Sequence, residues 1–194
     1  LEAWGDAEYA RRYRRLVDRA PDDEMKLAIA RGYHKLMAYK DEYETARLLL
    51  ETEAKAAEVF EGEMRFSYHL APPILGTKGP NGRPKKRQFG PWMRRGFKLL
   101  AGMKGLRGTM LDPFRFGAER KLERGLIAQY EADMGEVLAG LSGQNREAAL
   151  ALAELPLTIR GFGPVKEANA ERAAKRRAEL LEAFRNPEAP MRQA

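Results

Sequence analysis

Apolar positions first recur with a helical period. Tyr9, Tyr13, Leu16 and Val17 share one face of a helix over residues 6–20, which Pro21 stops. Asp22 is placed to cap the next helix, with Asp23 and Glu24 favourable at its positive end. There Met25, Ile29, Tyr33 and Leu36 step by four, four and three. The pattern runs on through Tyr43, Ala46 and Leu50, with a restart at Asp41, and an Ala/Glu-rich helix extends towards Phe60. The period then changes. Met64, Phe66, Tyr68 and Leu70 alternate with polar residues, as a strand would. Ala71-Pro72-Pro73 ends it, Gly79-Pro80-Asn81-Gly82 signals a turn, and Arg83 to Phe89 can return as a second strand. Pro84 confines that return strand to an edge.

Helical spacing resumes at Pro91, a residue suited to the first turn of a helix. Trp92, Met93, Phe97 and Leu100 supply the apolar face, which places Trp92 and Phe97 in the core. Residues 102–113 read as a loop. Leu122, Leu126, Tyr130, Met134, Val137 and Leu141 form the longest stripe in the chain. A shorter helix over 144–155 ends before Pro156, and Gly161-Phe162-Gly163 leads into a last helix from Pro164 to Phe184. No internal repeat or sustained heptad is present. The expected fold class is mostly α, a single-domain helical bundle with one small β-hairpin at residues 64–89. Residues 1–21 read as a helix or linker from an upstream domain. Residues 22–185 form a helical C-terminal domain with a basic insert at 64–111, and 186–194 a disordered tail.

Composition narrows the chemistry. The 194 residues contain no Cys, which excludes disulfides, Cys-ligated zinc, iron–sulfur clusters and thiol catalysis from this chain, and points to the cytoplasm. No apolar run approaches the length of a membrane span. The chain starts at Leu1, without a signal-peptide pattern, and reads as a piece of something longer. The net charge of +7 is unevenly placed. From Met64 to Leu111 there are 11 Lys and Arg and no Asp or Glu, so the rest carries 24 cations against 28 acids. The same stretch holds 5 of the 11 prolines and 8 of the 18 glycines. An acid-free basic stretch suits an anion: a cofactor phosphate, a nucleic-acid backbone or an acidic partner surface. An acidic surface of the same chain, such as the Glu-rich helices, could equally neutralise it.

The candidates for anion or partner binding are Arg83, Lys85, Lys86, Arg87, Arg94 and Arg107, with Arg160, Gly161, Gly163 and Lys166 as a second group. Two glycines before a helix can bring backbone N–H groups close to an anion. Without a preceding strand this is a weak dinucleotide signal, and a plain turn reads as well. Aromatic residues among the cations (Tyr68, Phe89, Trp92, Phe97) suit single strands, but no RNA- or DNA-binding motif is present. A nucleic-acid-binding helical module is therefore the alternative reading. His34 and His69 lack metal-ligand spacing. Glu119, Glu123 and Asp133 read as a solvated helix face. No catalytic residue and no metal site stand out.

Several segments together resemble one family. They are Lys35-Leu36-Met37-Ala38-Tyr39-Lys40-Asp41-Glu42-Tyr43-Glu44 with Ala46-Arg47-Leu48, and His69-Leu70-Ala71-Pro72-Pro73. Next come Gly82-Arg83-Pro84-Lys85-Lys86-Arg87 with Phe89-Gly90-Pro91-Trp92-Met93, and Leu106-Arg107-Gly108-Thr109 with Leu111-Asp112-Pro113-Phe114. The last are Glu119-Arg120 with Glu123-Arg124, and Ile159-Arg160-Gly161-Phe162-Gly163 with Val165-Lys166-Glu167. Their order resembles the C-terminal domain, itself of unknown function, of the fused bacterial indolepyruvate (2-oxoacid):ferredoxin oxidoreductases. Pro164 departs from it, standing where that family often has histidine. The resemblance implies a parent oxidoreductase that uses thiamine diphosphate, Mg and [4Fe–4S] clusters, with CoA as co-substrate and ferredoxin as electron acceptor. The motifs for these groups belong to other domains. This chain is then a non-catalytic accessory or assembly domain of an oligomeric parent. It docks through its basic insert on the enzyme body, on a phosphate-bearing ligand such as CoA, or on ferredoxin.

Overall fold

The structure, a computed structural model, describes residues 1–70 and 87–187. The turn signal at Gly79–Gly82, the first part of the return strand, and residues 188–194 lie outside the described residues. The class is mostly α with one small antiparallel hairpin. The chain packs as two compact units: Leu1–Tyr39 with Pro113–Ala194, and Lys40–Asp112.

The first unit holds α1 (Ala7–Val17) and α2 (Asp23–Met37) before the second unit in sequence. After it come the first unit's remaining helices, α5 (Ala118–Gly140), α6 (Arg146–Glu154) and α7 (Pro164–Arg185), with α3 and α4 belonging to the second unit. Asp22 caps α2 by accepting from the Met25 N–H at 3.0 Å. Arg146 of α6 forks onto the same carboxylate at 2.8 and 2.9 Å. The Arg146 fork is the main reason the Asp22 carboxyl is held down at about 2. The stripe on α2 is buried as its spacing requires, with Met25, Ile29, Tyr33 and Met37 fully inside. Tyr33 stacks between Tyr13 and Tyr130, with ring centroids 5.6 Å away on each side. Gly32 lets α2 approach α6: a Cβ there would lie 2.0 Å from the Ala153 carbonyl oxygen and 2.9 Å from the Tyr130 hydroxyl.

The buried face of α5 is not the one its leucines mark. Arg120, Glu123, Ile127, Tyr130, Met134 and Val137 face inward at spacings of three and four, whereas Leu122, Leu126 and Leu141 are only half-buried. The helix is turned so that charged residues enter the interior, which demands partners for them.

The second unit holds α3 (Glu42–Val59), β1 (Tyr68–Leu70), β2 (Arg87–Phe89) and α4 (Met93–Gly102), followed by one 3-10 turn at Met103–Leu106. In the hairpin Tyr68 pairs with Phe89, His69 with Gln88 and Leu70 with Arg87. Asp41 caps α3 by accepting from the Glu44 N–H at 2.8 Å. Among the described residues Ala46, Tyr68 and Phe97 form a buried apolar cluster, with Phe66, Leu70, Phe89, Met93 and Leu100 packed half-buried around it. No helix among the described residues is long and apolar enough to cross a membrane.

Gly32→Ala tests the α2–α6 approach. Helix propensity alone would favour alanine by about 1 kcal/mol. The contact with the Ala153 backbone cannot be relieved by a side-chain turn, so a net loss of about 1–3 kcal/mol is expected, measured by urea unfolding.

Candidate functional site

The cations of the basic stretch divide by what holds them. Arg83, Lys85 and Lys86 lie outside the described residues. Arg94, at the start of α4, donates from Nε to Glu53 Oε2 at 2.7 Å. Glu53 is buried on α3, and the Tyr68 hydroxyl donates to its other oxygen. Burial first, and then that hydrogen bond to Glu53, push the Tyr68 phenol up to about 12.

Arg107 forks onto Asp41, with Nε 2.5 Å from Oδ2 and Nη2 3.1 Å from Oδ1. Asp41 is buried, at 2% exposure, and the Arg107 side chain is largely covered, at 10%. The guanidinium lies over the Tyr43 ring, 5.4 Å from its centroid. Tyr43 in turn donates to Asp112 Oδ1 at 3.0 Å, and the Gly108 N–H donates to Asp112 Oδ2 at 2.7 Å. Gly108 has φ of +76°, which a residue with a Cβ would adopt only under strain. Burial, then Asp112, raise the Tyr43 hydroxyl above the ordinary phenol range. The loop after α4 is thus fastened to the start of α3 by a buried network.

Arg65, Arg87, Arg95 and Lys98 are exposed and make no ion pair with any described residue. Trp92 is 67% exposed and stands at the N-terminal boundary of α4, so the expectation that it enters the core is corrected. The inner face of α4 is Met93, Phe97, Leu100 and Ala101; Trp92 falls on the opposite side with Arg95 and Leu99. Phe97 is buried as expected.

The second group of candidates gathers where α7 begins. Gly161 and Gly163 have positive φ, +96° and +53°, as a tight entry into the helix requires. Asn169 Nδ2 donates to the Arg160 carbonyl at 2.7 Å, and Arg160 Nε donates to the Leu157 carbonyl at 3.0 Å. Lys166 pairs with the buried Glu123 carboxylate of α5. Burial, and then the nearby Lys166 ammonium, lower the Lys35 amine below its usual range. The group is therefore a turn into a helix with a mixed-charge cluster behind it. Lys166 already holds an acid.

Glu123 and Asp133 correct another expectation. Both are buried rather than solvated, at 5% and 6% exposure. Asp133 receives a two-pronged contact from Arg177 of α7, at 2.6 and 2.5 Å. A third acid, Glu131, takes both prongs of Arg12 at 2.6 and 2.7 Å and the Tyr33 hydroxyl. Burial opposes its ionisation, but Arg12 and Tyr33 together hold Glu131 below the usual carboxylate range. His34 meets Tyr13 edge-on, with ring centroids 6.3 Å apart.

Each unit has a hollow among its described residues. The first has an apolar crevice of about 50 Å³ beside Leu36, Tyr130, Leu152 and Ile159, room for a water or two. The second has an open groove of about 410 Å³ along Arg65, Phe66, Gln88 and Phe89. Among the described residues no three His, Asp or Glu side chains are placed to hold a metal ion.

The family model described as "Family of unknown function (DUF6537)" matches residues 1–179. No curated protein and no solved structure matches the chain.

Two measurements check this geometry. Arg107→Met leaves the buried Asp41 carboxylate without its cation and is expected to cost about 3–5 kcal/mol in chemical unfolding. Wild-type stability on the mutant's denaturation curve would remove the network's structural role. The raised Tyr68 phenol contributes stability that is complete below the unfolded-state value and is lost as pH rises through about 12. Tyr68→Phe is expected to flatten the alkaline fall in stability over that window, followed by unfolding at stepped pH.

Proposed function

Given that the chain belongs to the family of unknown function DUF6537, we propose that it is a non-catalytic accessory domain of an indolepyruvate (2-oxoacid):ferredoxin oxidoreductase. It contributes assembly rather than chemistry, and it docks through its basic stretch on the body of that enzyme. The six ordered segments of resemblance support the parentage. The observation that carries the accessory role is what their charged residues do. Asp41, Arg107 and Asp112 fasten a loop to α3, and Glu123 with Lys166 joins α5 to α7. These residues are occupied in folding, with ion-pair or hydrogen-bond partners inside the chain.

The parent's cofactors are assigned to its other domains. This chain has no Cys for a [4Fe–4S] cluster, and its described acids and histidines make no metal site. Thiamine diphosphate, Mg and the clusters would be held elsewhere in the parent. A domain joined covalently to its neighbours meets them at high effective concentration, which favours docking on the enzyme body over capture of a free partner.

Removing this domain from the intact parent is expected to weaken subunit assembly and 2-oxoacid-dependent ferredoxin reduction. Thiamine-dependent CO₂ release should persist in whatever still assembles. Two results would overturn the reading. One is turnover of any step by this chain alone, and the other is a truncated parent that assembles and turns over like the intact enzyme.

A further inference from the structure

Helix α4 has two faces, and only one is occupied. Met93, Phe97, Leu100 and Ala101 pack inward against the core of the second unit. Trp92, Arg95, Gly96 and Leu99 lie at i, i+3, i+4 and i+7 on the other side, all exposed. Trp92 and Leu99 are 67% and 68% exposed, although both are large apolar side chains that gain from burial. Phe89, half-buried in β2, meets Trp92 edge-on with ring centroids 6.2 Å apart and props it outward.

The charge on this face is uncommitted, in contrast to its neighbours. Arg94 and Arg107 are held by Glu53 and Asp41. Arg95 on this face, Lys98 on its flank and Arg87 in β2 are exposed and make no ion pair with any described residue. The sequence around them, Met64 to Leu111, contains no acid that could supply one. The face therefore combines an apolar pair with exposed cations that pair with no described acid. Tryptophan and arginine are also the residues that most often dominate protein–protein contacts.

We infer that the outer face of α4 is a docking surface for a protein whose own contact patch is apolar at the centre and acidic at the edge. Charge complementarity selects the acidic rim, and Trp92 with Leu99 selects the apolar centre. A nucleic-acid strand would use the cations and the indole but not Leu99. The remainder of the chain, with 24 cations against 28 acids, does not extend a phosphate track. One face of a ten-residue helix is small beside the roughly 800 Å² per partner of a stable interface, so the contact alone is weak and salt-dependent. The inference deepens the docking reading above. It stands on α4 alone, however, so it can fail without touching the parentage, and the parentage can fail without touching it.

The test uses the whole chain and the intrinsic fluorescence of its two tryptophans. Trp4 is 6% exposed and Trp92 is 67% exposed, so a neutral quencher reports on Trp92. The probes are a synthetic amphipathic peptide of leucine and glutamate, poly-glutamate, and oligothymidylate. The peptide is expected to blue-shift Trp92 and shield it from the quencher, less so as salt is added. Arg95→Glu and Leu99→Ser, both at exposed positions, should each weaken that binding by roughly tenfold with the circular dichroism unchanged. No shielding by the peptide, or unchanged binding in both variants, overturns the inference. Oligothymidylate binding more tightly than the peptide overturns it in favour of nucleic acid. Poly-glutamate binding as tightly as the peptide removes the apolar half.

Discussion

A carboxylate buried without a cation or several donors at its oxygens either takes up a proton or unfolds its surroundings. That constraint is met again and again in this protein. Asp41, Glu53, Asp112, Glu123 and Asp133 are all buried, and each has a named partner. Among the described residues of the second unit, Tyr43, Ala46, Tyr68 and Phe97 are the buried apolar side chains. Its closure relies on the polar network. Arg107 reaches back to Asp41, and Tyr43 reaches forward to Asp112. These contacts draw together the two ends of the Lys40–Asp112 unit. A segment set between two halves of another unit must return close to where it left, and this buried clasp provides that return.

The helices were legible wherever a cap and a stripe agreed. Asp22 before Met25, Ile29, Tyr33 and Leu36 gave both the start and the buried face of α2. Asp41 marked the restart of α3 for the same reason: a short acidic side chain reaches a free N–H three residues on. The β-hairpin showed itself through alternation, and the described strands fall inside the expected range. On α5 the same reasoning followed the leucines and missed the rotation. The face at 120, 123, 127, 130, 134 and 137 has a helical period too, but three of the residues buried along that side (Arg120, Glu123, Asp133) are charged. A reading that scores only apolar positions cannot weigh them. Their partners, Lys166 and Arg177, are 43 and 44 residues away.

The boundary between the two units was hidden for a related reason. Helical spacing runs from Met25 through Leu50 with only a capping residue to interrupt it. What separates Tyr39 from Lys40 is long-range: Asp41 is tied to Arg107, 66 positions on. Of the candidate site, the charge asymmetry was visible but its distribution was not. Arg94 and Arg107 looked like their neighbours in sequence. Trp92 looked like core because it adjoins Met93 in an apolar run. A helix of this length has room for two apolar faces, and only the packing of Met93, Phe97 and Leu100 shows which of them is inside.

The acid-free stretch thus has a structural role, and the docking inference gives its exposed cations a second one. Its lack of local acids forces Arg94 and Arg107 to find carboxylates on α3 and its capping residue, which welds the start of α4 and the loop after α4 to that helix. Arg87, Arg95 and Lys98 make no ion pair with any described residue. Their mutual repulsion is a standing cost that water and salt only partly relieve. An acidic partner would relieve it further, and burial of Trp92 and Leu99 would add to the gain. The cations that stabilise the unit and those left exposed therefore differ in one property, whether α3 or its capping residue reaches them with a carboxylate.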